Sequence, residues 1–252
     1  MTKKFKIDVP LIPKKIDEAL ILSERASESI AVESPPMVDR MSSAGRCWRE
    51  RWASFRGIPI DEGKGFSKNP QLLRTFKLGH AIEDVVVDLL EEAGFHISDQ
   101  QLECRGGDGR WIGHIDGLIW MGEPIQKPSL LEVKSANAKR FDLLRELGYE
   151  EWNAGYAAQL QAYMHTLPRD LGVDDAIVAV FNKDTSELYF ERILYDIDLA
   201  MKLEKQSLLV CSSDPMPPPR PKAAKSRSCK YCKWCDRSEW CWSLITDIDL
   251  SL

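Results

Sequence analysis

The hydrophobic period changes repeatedly along this chain, and that alternation narrows the possible folds more than any other feature. Leu72, Leu73, Phe76, Leu78, Ile82, Val86, Leu89 and Leu90 recur at helical spacing up to Gly94, the pattern of one long amphipathic helix. Asn69-Pro70 ahead of it reads as an N-cap followed by proline at the first helical position. The period then drops to two. Residues 101–104 and 111–120 read as strands joined by the turn Gly106-Gly107-Asp108-Gly109, and residues 130–134 as a third strand after a proline-bounded loop at 124–128. Helical patterning returns over 139–147 and 151–166, strands over 176–181 and 188–193, and a last helix near 199–209. Helix, three strands, helices, two strands, helix is the order of an α/β fold, with a central mixed sheet flanked by helices.

The 252 residues then divide into a leader (1–40), a basic and aromatic segment (41–68), the patterned core (69–212) and a connector with a cysteine-rich tail (213–252). The leader carries a helix around residues 16–29, closed by the breaker Ser34-Pro35-Pro36. Pro217-Pro218-Pro219 and Arg220-Pro221 make the connector stiff. A hydrophobic content of 44% is that of a globular chain. The longest apolar run, 176–181, is strand-sized, and Met1-Thr-Lys-Lys-Phe-Lys6 lacks the apolar stretch of a secretion signal. A cytoplasmic protein with no membrane partner is expected. A net charge of −5 gives no overall basic footprint, although a basic groove can coexist with an acidic surface.

Chemistry concentrates at Leu131-Glu132-Val133-Lys134. Strand side chains alternate faces, so Glu132 and Lys134 share one face and the two apolar residues take the other. A carboxylate can bind a divalent ion while a neighbouring ammonium orients water or neutralises charge developing on a phosphodiester. An isolated Glu-x-Lys is more often a solvent-facing ion pair on an edge strand. Upstream, Gly113-His114-Ile115-Asp116-Gly117 puts Asp116 on a neighbouring strand, between glycines that would allow close approach of backbone and metal or substrate. His80 lies on the long helix, where an imidazole could complete a His/Asp/Glu site. Gln159 and Tyr163, four apart, share a helix face.

The ordered set His80, Asp116, Glu132-x-Lys134 and Gln159-x-x-x-Tyr163 resembles the motifs of RecB-like nucleases in the PD-(D/E)xK superfamily, over residues 76–165. That resemblance implies a restriction-endonuclease-like core in which His80, Asp116, Glu132 and the Val133 carbonyl bind Mg or Mn. It further implies that Lys134 serves the attacking water and that Gln159 and Tyr163 position active-site groups or the DNA.

Cys232-x2-Cys235-x5-Cys241 is spaced like thiolates converging on one metal centre. The fourth ligand is open. Cys229 would complete a local four-cysteine zinc site, whereas the remote Cys47 would tie the two ends of the chain together. Cys104 and Cys211 read as ordinary buried small residues. Cys47 before the nuclease motifs and three cysteines after them is similar to RecB-like nucleases with an iron–sulfur cluster, AddB-type helicase-nucleases and the Cas-four family of CRISPR adaptation among them. That likeness implies a 4Fe-4S cluster on Cys47, Cys232, Cys235 and Cys241, leaving Cys229 surplus. It also implies an exonuclease acting 5′ to 3′ on single strands or ends of DNA, with a CRISPR integrase or recombination and repair proteins as partners. Arg46, Arg49 and Arg51, with Lys225 and Arg227 of the connector, would then contact phosphates. Trp48, Trp52, Trp234 and Trp240 would either stack on bases or pack around the cluster.

Overall fold

The computed structural model describes residues 11–32, 37–64, 69–122, 127–229 and 231–244. The 34–36 breaker and most of the 124–128 loop lie outside them. Helix α1 (Leu11–Val32) precedes a two-residue strand β1 (Asp39–Arg40) and α2 (Trp48–Phe55). Helix α3 (Pro70–Glu92) is followed by the short strands β2 (His96–Ser98), β3 (Glu103–Gly106), β4 (Trp111–His114) and β5 (Gly117–Trp120), then the longer β6 (Ser129–Ala136). Helices α4 (Ala138–Leu147), α5 (Tyr149–Trp152) and α6 (Ala154–Thr166) lead to β7 (Asp175–Asn182), β8 (Leu188–Leu194), α7 (Ile197–Val210) and the short α8 (Ser238–Ser243).

Local chemistry sets the helix ends. The Asn69 side chain accepts from the Leu72 amide at 3.2 Å, with Pro70 in the first turn of α3. The single helix expected over 151–166 is two. Asn153 is extended and its side chain accepts from the Gly155 and Tyr156 amides, so it starts α6 afresh.

Two mixed-order sheets replace the single sheet expected. A five-stranded sheet runs β2-β5-β6-β7-β8, with β6 and β7 parallel and the other neighbours antiparallel; a three-stranded sheet runs β1-β4-β3. The segment 111–120 is not one strand. Its first half pairs with β3 and its second with β6, and the chain changes sheets at Ile115-Asp116. The physical cause is the burial of Ile115, which is fully enclosed and bonds through its backbone to Leu102 and Gln101 instead of continuing the ladder.

The glycines flanking this bend do admit close neighbours, but these are the protein's own. A Cβ on Gly113 would stand 2.3 Å from the Tyr163 ring, and one on Gly117 would stand 3.1 Å from Ile97. Neither space is left for a metal or substrate, which corrects the sequence expectation.

β6 lies mid-sheet between β5 and β7, and its two faces serve different layers. Leu131 and Val133 join Ile82, Val86 and Leu90 of α3 in one core. Leu130 and Ala136 join Phe141 of α4 and Leu160 of α6 in another. By strand alternation Glu132 and Lys134 project to the α6 side. Helix α6 is buried nearly all round, packed against β3, β7 and α7, so its polar residues need internal partners. Gln161 has two, donating to the Leu194 carbonyl and accepting from the Asp196 amide.

The residues after α2 meet the tail. Asp61 accepts from the Glu239 and Trp240 amides at the start of α8, Lys64 donates to the Cys235 carbonyl and Ser238 hydroxyl, and Arg237 donates to the Ile58 carbonyl. Trp52 and Trp240 stack at 6.2 Å. Among the described residues no helix is long and apolar enough to cross a membrane.

Candidate active site

Glu132 is wholly buried on β6. Its Oε1 pairs with the Lys134 ammonium and accepts from Gln159 Nε2 at 3.0 Å, while Oε2 is buried with no hydrogen-bond partner. Gln159 Nε2 also donates to the Tyr163 hydroxyl at 3.1 Å. The spacing of four on α6 thus works as a brace: Tyr163 holds Gln159, and Gln159 holds the glutamate. Both are buried, and what they touch is Glu132 and each other.

Asp116 sits in the bend between β4 and β5, not within a strand as expected. Its carboxylate accepts from the Val133 amide at 2.7 Å, which locks the sheet-changing turn to the neighbouring strand beside Glu132. Val133 therefore enters this geometry through its N–H.

His80 is on α3, with its side chain 81% exposed and Nδ1 3.7 Å from Glu83. Glu83 is the residue that sequence reasoning missed. Its carboxylate accepts from Gln101 Nε2 at 2.9 Å. Burial raises its pKa, the Asp116 charge raises it further, and His80 and Lys134 oppose both. Its one sequence signal is the i,i+3 spacing from His80, shared with any amphipathic helix.

The site is electrostatically tense. Burial pushes the Glu132 carboxyl up to about 7 against the pull of Lys134, with Asp116 adding to the rise. Burial also raises Asp116, whereas Lys134, the Val133 amide and His80 favour its charge. For Lys134 burial works against the charge, but Glu132 and Asp116 outweigh it and hold the ammonium above its ordinary value. Its Nζ lies 5.3 Å over the Tyr156 ring. Two buried carboxyls, one further acid and one fixed cation thus meet, with the exposed His80 beside Glu83.

Among the described residues no three His, Cys, Asp or Glu side chains stand already arranged as a metal site. The residues nonetheless fit a hard divalent ion. Glu132 Oε2 lacks a partner where a buried oxygen is costly to leave unpaired, and carboxylate oxygens are the donors such ions prefer.

The second constellation shares one cavity, although its cysteines do not stand arranged as a metal site either. Cys47, Cys232, Cys235 and Cys241 line one enclosed cavity, walled by Arg220, Trp240 and Trp242. Burial raises the thiol pKa of Cys47, and that of Cys235 to about 12. Cys229 is not among the lining residues; its thiol hydrogen-bonds with that of Cys232. Cys104 and Cys211 are buried in separate apolar cores.

Several expected DNA contacts are not available on this surface. Arg49 and Arg51 are buried, and Arg51 pairs with buried Asp39 and donates to the Ala44 carbonyl. The charge buried there needs that partner, so it cannot face a phosphate. Arg46 pairs with Glu50, and Arg227 with Glu239; Lys225 is exposed. Trp52 and Trp240 pack on each other, and Trp48 Nε1 donates to the Pro219 carbonyl at 2.7 Å. Trp234 alone of the four stays open, 78% exposed.

No protein-family model and no curated protein matches the chain. Among solved structures it is similar to SSO0001, with a TM-score of 0.50 and 15% identity over 90% of this chain and 95% of that one. The alkaline exonuclease LHK-Exo from Laribacter hongkongensis gives a TM-score of 0.44 and 16% identity over 67% of this chain and 87% of that one. A phage-related exonuclease from Haemophilus somnus 129PT gives 0.41 and 15% over 65% and 77%. At such identities the likeness bears on fold alone: mixed sheets flanked by helices.

Proposed function

We propose that this chain is a Mg- or Mn-dependent DNA nuclease of the PD-(D/E)xK type, acting as an exonuclease on single strands or ends. The observation that carries the reading is the buried Glu132–Lys134 pair, mid-sheet, with one glutamate oxygen unpartnered and Asp116 tied to the intervening Val133 amide. A solvent-facing ion pair on an edge strand has none of these properties.

Asp116 and Glu132 would hold the ion, with His80, Glu83 and the Val133 carbonyl as further donors. When bound, the ion supplies Lewis-acid stabilisation of the phosphate and a more acidic water. Lys134, held as an ammonium by two carboxylates, orients the attacking water or meets the negative charge that grows on phosphorus. Gln159 and Tyr163 keep Glu132 in place through Oε1, leaving Oε2 free for its task. The four-cysteine cavity would hold a 4Fe-4S cluster that joins the ends of the chain; its thiol donors suit iron. A 5′-to-3′ polarity and a place in CRISPR adaptation or in phage or bacterial recombination and repair follow from the sequence resemblance.

The direct test compares end-labelled linear with circular single-stranded DNA, with Mg, with Mn and in EDTA. Linear DNA is expected to be degraded only with a divalent ion, and circles to resist. Undiminished digestion in EDTA would overturn the metal, and equal digestion of circles would overturn the need for an end.

The Glu132 carboxyl makes metal binding pH-dependent. With its pKa raised to about 7, the carboxyl is protonated below that pH in the metal-free protein, and the proton competes with the ion. Affinity for Mn is therefore expected to rise about tenfold per pH unit up to about 7 and then level off. Calorimetry across that range checks it; a flat profile would exclude Glu132 as a ligand.

A further inference from the structure

Two hollows lie along helices α1 and α3, and Asp116, Glu132 and Lys134 line neither of them. At one end a hollow of about 620 Å³ is lined by Asp17 of α1, by Gln71 and Arg74 of α3, and by Lys233 and Trp234 of the tail. The next stretch, about 300 Å³, is lined by Leu20 and Ser23 of α1 and by Phe76, Lys77 and His80 of α3. His80, one of the candidate metal donors, lines this second hollow, and the Asp17–Arg74 pair stands on the adjoining turns of the two helices. From Pro70 to His80 the helix rises about 15 Å.

Its walls have the composition that recognises an unpaired strand. Trp234 presents its ring to solvent with Lys233 Nζ 5.2 Å from the ring centroid, and Phe76 is 46% exposed in the second stretch. Lys77 and Lys233 are exposed cations lining the two hollows, whereas Arg74 pairs with Asp17 and Lys64 is held by Asp61, the Cys235 carbonyl and the Ser238 hydroxyl. Aromatic faces beside cations bind bases and phosphates of single strands, and a duplex offers no free base to stack. The other indoles of the cysteine-rich region are spent in packing, which isolates Trp234 as the one presented outward among the four.

We propose that these hollows form the track along which single-stranded DNA reaches the active site, with Trp234 and Phe76 as stacking platforms and Lys233 and Lys77 as phosphate contacts. This deepens the nuclease reading and rests on it for direction of travel, but binding is measured without cleavage.

The test is fluorescence anisotropy of the full chain in EDTA with a labelled single-stranded oligonucleotide, the same length carrying abasic linkers, and a duplex. Trp234→Ala is expected to weaken single-strand binding roughly 5- to 100-fold, and Trp234→Phe to restore most of it. Because Trp234 neighbours Cys235, Phe76→Ala, remote from every cysteine, provides a second arm with a loss of the same kind. Leu194→Ala, on the opposite edge of the sheet, is expected to change nothing. The native protein should bind the abasic oligonucleotide at least as weakly as Trp234→Ala binds the normal one. Equal affinity of native protein and both aromatic variants for the single strand, or equal affinity of the native protein for all three probes, overturns the track. If binding depends on Trp234 yet the native chain cleaves no DNA with Mg or Mn, the nuclease reading fails and the track stands.

Discussion

Glu132→Gln and Lys134→Met are each expected to lower DNA cleavage about 10³-fold, and the double variant to be no worse than the weaker single. The loss follows from removing one fixed charge at a site where charge develops, an effect on the order of 10²–10³ or more. The non-additivity follows from the geometry. Oε1 of Glu132 is held by Lys134 as well as by Gln159, so the two charges act as a unit, and removing either disables both. Stability separates the same variants in a second way. Glu132→Gln leaves the Lys134 ammonium, one-fifth exposed, without its nearest counter-charge, and breaking such a pair from one side costs about 3–5 kcal/mol. Asp116 remains nearby and places the cost at the low end. Removing both charges relieves it, so the double variant should melt above Glu132→Gln while staying inactive. Product-like losses of activity in the double, or a double that melts lowest of the three, would show that the two residues do not form one unit.

The next largest effect is expected at Cys47. Substitution by serine at Cys47, Cys232, Cys235 or Cys241 should remove the metal centre, taking iron from about four per chain to near zero in protein purified without oxygen. Cys229→Ser should keep it. The distinction rests on the single cavity that the first four line and Cys229 does not. Metal binding at such a site is also folding free energy, on the order of 10 kcal/mol for structural thiolate sites, so melting should fall by more than about 10 °C, at 2–4 °C per kcal/mol for a chain of this size. The polar clasp formed by Asp61, Lys64 and Arg237 does not involve the thiols. The helix-and-sheet core should therefore outlast the centre, with the tail protected less than the core in hydrogen exchange. One zinc and no iron per chain, with Cys229→Ser the damaging variant, would reverse the ligand assignment.

How far these residues can be read from the sequence differs from one to the next. Glu132 and Lys134 are legible because strand alternation puts both on one face and leaves Leu131 and Val133 to declare the other. Gln159 and Tyr163 are legible as a pair by helical spacing, but their task is not. Only the packing of the tertiary structure shows that Tyr163 supports Gln159 and that Gln159 holds Glu132. The exposed indole among four candidates, and the burial of Arg49 and Arg51 among five basic ones, are likewise matters of surroundings. Residue type states what a side chain can do, and its neighbours decide which use remains.

The sequence by itself determined the α/β class, the order of the main elements, the N-cap of α3, and the residues that carry charge or sulfur. Those properties depend on local periodicity and on the chemistry of single side chains, which act over a few residues. Tertiary structure decided the rest: the split of 111–120 between two sheets, the tie of Asp116 to Val133, the entry of Glu83, and the meeting of Cys47 with the distant tail. Each is a contact between segments far apart in the chain, and such contacts are chosen by which buried groups can satisfy one another in three dimensions, a condition no local pattern encodes.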